Sequence, residues 1–268
     1  MNSSKLCRLY GTIGTFCIIF VLCITLCITS DASECFHWYC KRTQDHTQPS
    51  IDSHMSWITE HGGAYVDKDH GDKCQEKVIY LTFDAGYENG NVAKILDILH
   101  EHQIKGAFFI LGNLINRNPE LVQRMADEGH LVCNHTYTHK NIATMSDADI
   151  INEIDRLENA YTSLTGKQMA KYFRPPEGSF DQESIKAVYN HGYKTVFWSF
   201  AYADWDNNKQ MTASQAKKKI MDNLHNGEIM LLHPTSKTNA EILSEVISDL
   251  KAMGYHFASL DELEFDVP

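Results

Sequence analysis

From residue 77 onward the chain alternates short, wholly apolar runs with longer stretches of helical period, and this alternation constrains the fold more than any other feature. Strands are expected at 78–81, 107–111, 130–133, 172–173, 195–198, 229–232 and 255–257. Helices are expected at 92–100, 119–127, 147–164, 181–191, 213–224 and 240–253. Asn118 and Ser146 stand as caps, Pro119 sits in a first turn, and Gly129 and Gly166 act as stops. Strands apolar at every position are covered on both faces, which strands of a parallel sheet require. About seven such units in roughly 190 residues favour an α/β barrel or near-barrel over an open doubly wound sheet. In either architecture chemistry gathers where the strands end.

Polar islands stand at those ends. They are Thr82-Phe83-Asp84-Ala85-Gly86, His135-Thr136-Tyr137-Thr138-His139, Arg174-Pro175-Pro176, Asp204-Trp205 and Leu231-Leu232-His233. His135 and His139 are four apart, so a helical turn would put both imidazoles on one face to grip a divalent ion. A chain with 14 histidines holds roughly 0.7 such pairs by chance, so the position after a strand carries this reading rather than the spacing. Asp84 could serve as a base, a metal ligand or a helix cap. Arg174, stiffened by two prolines, could hold a carboxylate ionised, unless it is an ordinary surface arginine. His233 reads as a general acid oriented by Asp204, or as a satisfied core histidine. Trp205 reads as a wall for a sugar ring or as a buried aromatic. Together the set suits metal-assisted hydrolysis of an amide.

The 268 residues carry a net charge of -11, and Lys5, Arg8 and Asp31 give the first 32 a charge of +1. A remainder so acidic argues against a nucleic-acid partner, whose phosphates call for Lys and Arg. Residues 1–32 read as a targeting segment: a basic start, an uncharged run from Leu9 to Ser30, and small residues at Ser30 and Ala32. The run has the length of a bilayer span, so a cleaved signal peptide and a retained membrane anchor both stay open, and either exports the chain beyond residue 32. Residues 33–75 read as an irregular N-terminal arm. Of the cysteines beyond residue 32, Cys35 and Cys40 are the closest candidates for a disulfide, while Cys133 reads as strand packing.

At the islands the chain resembles the polysaccharide deacetylases with a NodB-homology domain (carbohydrate esterase family 4), with the match running from about Val78 to Leu263. The runs Asp84-Ala85-Gly86-Tyr87-Glu88-Asn89-Gly90, Asn134-His135-Thr136, Thr195-Val196-Phe197-Trp198-Ser199 and Leu260-Asp261-Glu262-Leu263 resemble the subgroup acting on N-acetylmuramic acid, the delta-lactam-forming enzymes of spore cortex. The resemblance implies a distorted (β/α) barrel over 76–265 and an exported hydrolase that removes acetyl groups from a peptidoglycan strand. It makes Asp84 the general base, Arg174 its partner, His233 the general acid and Asp204 its orienting carboxylate. His135 and His139 become ligands of a divalent metal, zinc ahead of cobalt or manganese. Pro176, Glu177 and Trp205 become contacts to substrate.

One departure stands out. The family pattern has a second aspartate after the base as third metal ligand, and this chain has Ala85, a change the muramic-acid subgroup shares. Two further readings stay open: a wall-binding module without catalysis, and a deacetylase of chitin-like or xylan substrates.

Overall fold

The first expected strand extends to the aspartate itself in the computed structural model, which describes residues 34–39, 41 and 45–266. The targeting segment 1–32 and Cys40 lie outside the described residues. The strands are β1 Phe36–His37, β2 Gly63–Ala64, β3 Lys77–Ala85, β4 Ala107–Ile110, β5 Leu131–Asn134, β6 Tyr172–Phe173, β7 Ser179–Phe180, β8 Lys194–Val196, β9 Glu228–Leu232 and β10 Tyr255–Phe257. Parallel pairing runs β3, β4, β5, β6, β8, β2, and β9 and β10 also pair in parallel with β3. Single bridges at Val66–Glu228 and Phe200–Met230 draw the two ends of the sheet together. The result is a curled, distorted barrel of the expected type.

Helices cover the outside: α1 Trp57–Glu60, α2 Val92–His102, α3 Gly112–Arg117, α4 Pro119–Asp127, α5 Asp147–Thr165, α6 Gln182–Asn190, α7 Ala213–Asn223 and α8 Lys237–Ala252. Ser146 caps α5 by accepting from Asp149 N–H, and Gly166 ends that helix at φ 69°. Asn118 precedes α4 as expected but makes no side-chain cap bond. No described helix is long and apolar enough to cross a membrane.

Strand alternation sorts β3 into two faces. Leu81, Phe83 and Ala85 pack outward with Leu96, Leu114, Val122 and Leu243 of the helices. Val78 and Tyr80 pack inward with Phe109, Cys133, Val196 and Ile229. Each fully buried Phe or Leu contributes about 2 kcal/mol, so both layers hold the end of β3 rigid. Cys133 is buried, and burial raises its thiol pKa well above the ordinary value, in keeping with a packing role.

The stretch 34–75 is built into the same compact unit as the rest of the described chain. β2 adds to the sheet beside β8, and β1 pairs antiparallel with β7. The Gln48 amide donates to Asp67 O, His70 O and Asn226 O, and Tyr80 O–H donates to Asp67 at 2.6 Å.

Candidate active site

Asp84 is the penultimate residue of β3, and the alternation that turns Ala85 outward turns Asp84 toward the mouth of the barrel. Arg174, fully buried just past β6, donates from Nη1 to Asp84 Oδ1 at 2.8 Å. Its other nitrogens are also committed: Nε to Val196 O at 2.9 Å, and Nη2 to Thr82 Oγ1 at 3.0 Å and Phe197 O at 3.1 Å. The guanidinium lies over the Phe109 ring, 4.1 Å from its centre. Burial alone would raise the pKa of Asp84, but the charge and hydrogen bond of Arg174, with help from His135 and His233, hold it below the usual carboxylate value.

The histidine pair does not sit on a helical turn. Residues 135–139 form a loop in which Thr136 and His139 adopt φ of 67° and 61°. Asn134 Oδ1 accepts from Thr136 N–H, Thr136 Oγ1 accepts from His139 N–H, and Glu153 of α5 accepts from both Thr138 N–H and Oγ1–H. This web brings the rings to 5.0 Å, 68° apart in plane. His135 Nδ1–H donates to Arg174 O at 2.7 Å, which leaves the Nε2 lone pair 3.6 Å from Asp84 Oδ2. Burial pushes the His135 pKa down to about 4 against the pull of Asp84, and burial also lowers that of His139. Both rings are therefore neutral at pH 7 and free to coordinate.

His233 follows β9. Its Nδ1–H meets Asp204 Oδ1 at 2.7 Å, while Asp204 Oδ2 accepts from His233 N–H at 2.7 Å and from Asn239 Nδ2 at 2.6 Å. Asn239, in the first turn of α8, also bonds His233 O and accepts from Tyr202 O–H. Burial would lower the His233 pKa, but the Asp204 hydrogen bond and charge, with Asp84, more than offset it and leave it raised.

These groups open onto a cleft of about 700 Å³ walled by Asp84, His135, His139, Glu177, Trp205 and His233. Trp205 is 60% exposed, an uncovered ring at the rim rather than a core aromatic. Tyr87, in the loop after β3, also lines the cleft and accepts from Asn207 Nδ2 at 2.8 Å. Pro176 is buried and does not line the cleft, whereas Glu177 and Gly178 do. Asn239 escaped the sequence reading, and Thr82 and Trp198 entered it only as members of quoted runs, with no role of their own. Asn239 reads as an ordinary first-turn residue, and Thr82 and Trp198 stand inside apolar runs.

Residues 71–196 match the family described as polysaccharide deacetylase. Over 234 residues the chain is 39% identical to the peptidoglycan-N-acetylmuramic acid deacetylase PdaA of Bacillus subtilis (strain 168), covering 87% of this chain and 88% of that protein. The chain belongs to the polysaccharide deacetylase family. Against the solved structure of Bacillus subtilis PdaA, a family 4 carbohydrate esterase, this polysaccharide deacetylase has a TM-score of 0.81, covering 86% of its own length and 97% of the other. A family 4 carbohydrate esterase from Bacillus anthracis is similar at TM-score 0.71 and 34% identity, over 86% and 96% of the two chains.

Polysaccharide deacetylases of this family are metal-dependent. Among the described residues, no group of three or more His, Cys, Asp or Glu is arranged to hold a metal ion. The two neutral imidazoles of His135 and His139, with ring centres 5.0 Å apart, offer two donors of the kind a divalent ion takes, and the ionised Asp84 carboxylate lies 3.6 Å from His135 Nε2.

Proposed function

We propose that this polysaccharide deacetylase removes the acetyl group from N-acetylmuramic acid in peptidoglycan, as an exported enzyme at the cell wall. The observation that carries this reading is the convergence of Asp84, His135, His139 and His233 on one cleft, with Arg174 and Asp204 bonded behind Asp84 and His233, in a chain 39% identical to a muramic acid deacetylase. His135 and His139 would hold the metal, zinc in the first instance, with cobalt or manganese as substitutes. Bound there, it supplies a Lewis acid for the acetamide oxygen and lowers the pKa of water.

The chain's own groups do the rest. Asp84, kept ionised and aimed by Arg174, takes a proton from the attacking water. Glu177 lines the cleft, and its N–H has no acceptor among the described residues, so it is available to the oxygen that gains charge. His233, held by Asp204 through Nδ1, gives its Nε2 proton to the departing amine. Acetate leaves, and the free amine lies beside the lactyl carboxyl of the same sugar, the arrangement from which a muramic delta-lactam forms by loss of water. Trp205 offers its exposed face to a sugar ring.

The test is acetate release from glycan strands stripped of their peptides, with zinc, cobalt or manganese supplied, and mass spectrometry of the digested product. Loss of acetyl from muramic acid supports the proposal. Deacetylation confined to glucosamine units, or to chitin or xylan oligomers, redirects the substrate, and no acetate with any metal overturns the reading.

A further inference from the structure

The loop Pro176–Gly178 on one wall of the cleft holds two consecutive residues in the left-handed region, Glu177 at φ 59° and Gly178 at φ 63°. For a glutamate that conformation costs about 1 kcal/mol or more, so the surroundings must hold it. Within the loop, Gly178 N–H donates to Pro175 O at 3.1 Å and Ser179 N–H donates to Pro176 O. Further support comes from residues 36–38, well outside the stretch 71–196 that matches the family.

That segment grips the loop from behind. Phe36 and His37 of β1 pair with Phe180 and Ser179 of β7, and His37 Nδ1 lies 2.8 Å from Ser179 Oγ. Trp38 N–H donates to Gly178 O at 2.7 Å, and Trp38 Nε1–H donates to Trp198 O at 2.9 Å. Its ring stacks on Phe197 at 4.4 Å. The carbonyls of Val196 and Phe197 are the ones that Arg174 uses to stay beside Asp84. A Cβ at Gly178 would stand 2.8 Å from the Trp198 ring and 3.2 Å from Trp38 Cβ, so the loop has no slack.

We propose that Phe36–Trp38 is a positioning element of the catalytic centre, holding the 176–178 loop so that Glu177 N–H faces the oxygen of the scissile acetamide. This rests on the deacetylase reading above, and it makes the extension upstream of the matched family region a requirement for turnover. Trp38 touches no reacting atom and acts through Gly178 and Trp198.

The full chain is compared with Trp38→Ala, Trp38→Phe and Tyr172→Phe. The last removes buried hydrogen bonds to Leu260 O and Asp261 outside the cleft and serves as a stability control. Acetate release from peptide-free muramyl glycan gives kcat and KM separately, and hydrogen exchange of 176–180 is followed by mass spectrometry without substrate or metal. Trp38→Ala is expected to speed exchange at 177–179 and lower kcat about 100-fold, with KM within about threefold. Trp38→Phe keeps the stacked ring, loses the bond to Trp198 O and should fall about tenfold in kcat; it decides the matter if the alanine variant does not fold. Tyr172→Phe should lower Tm and leave kcat unchanged. A kcat within about threefold of the parent in a folded Trp38 variant, or unchanged exchange at 177–179, overturns the proposal. A parent that releases no acetate overturns the deacetylase reading instead, and the exchange data still decide whether the segment holds the loop.

Discussion

Replacing Asp204 with asparagine keeps the shape of the side chain and changes only what its two outer atoms can do. Asp204 Oδ2 faces His233 N–H, a main-chain donor that cannot turn away, and Asn239 Nδ2, whose amide is oriented by Tyr202 O–H at its oxygen. The amide oxygen of Asp204→Asn must take that place, so its NH₂ confronts His233 Nδ1, now 2.7 Å from Asp204 Oδ1. The imidazole then has to accept at Nδ1 and keep its single proton on Nε2. Three charge-assisted hydrogen bonds become neutral ones, at about 1 kcal/mol lost for each. Stability should fall by about 3 kcal/mol, or roughly 6–12 °C in Tm. Catalysis should lose about 10²–10⁴-fold in kcat, the range for removing an effective general acid. The pH profile gives a separate reading. In the parent, burial lowers the His233 pKa and Asp204 with Asp84 more than restores it, so the acid form persists to higher pH than for a free imidazole. Activity should decline as pH rises through that raised value. Without the Asp204 charge the effect of burial prevails, and the alkaline limb should move to lower pH. Acetate release across pH, alongside a thermal melt, measures all three quantities. An alkaline limb that stays in place would refute the assignment of His233 as the acid.

Asp84→Asn leaves the fully buried Arg174 without a counter-charge; it should cost about 3–5 kcal/mol by thermal melt and lower acetate release by at least about 10²-fold. Full activity would rule out Asp84 as the base. Ala85→Asp places a carboxylate on the helix-facing side of β3 among Phe83, Leu114 and Val122, so it should lower Tm and leave zinc affinity unchanged in a calorimetric titration; tighter zinc binding would show that the strand end rearranges. His135→Ala and His139→Ala should each weaken zinc binding about tenfold or more, and chelation should stop acetate release until zinc is restored. Trp205→Ala should raise KM about tenfold with little change in kcat, since an uncovered ring binds ground state and transition state alike; equal losses in both constants would place Trp205 closer to the reacting atoms.

The sequence pattern revealed the barrel strands because each combines an apolar run with a following helix of recognisable period. It could not reveal β1, β2 or β7, whose two residues show no period and lack the paired large apolar rings that mark the equally short β6. The stretch 33–75 therefore read as an arm, although Gly63–Ala64 completes an edge of the sheet and Phe36–His37 supports the cleft. The site was legible where chemistry and position coincide, as at Asp84 and His233. It was misleading at 135–139, where i,i+4 spacing suggests a helix but side-chain bonds from Asn134, Thr136 and Glu153 build a loop. The direction of Ala85 was also hidden: its identity marks a departure from the family pattern, and only the strand register turns its side chain the other way.

Residue 174 contributes to the centre twice, through its guanidinium and through its main-chain oxygen, which fixes the His135 tautomer. Mutagenesis reaches only the first contribution, because every substituted residue brings the same carbonyl. A substitution series here will therefore understate how much of the architecture passes through this position. Insertions or deletions between β6 and Pro176, which displace that oxygen bodily, would disorient the imidazole even with the arginine intact.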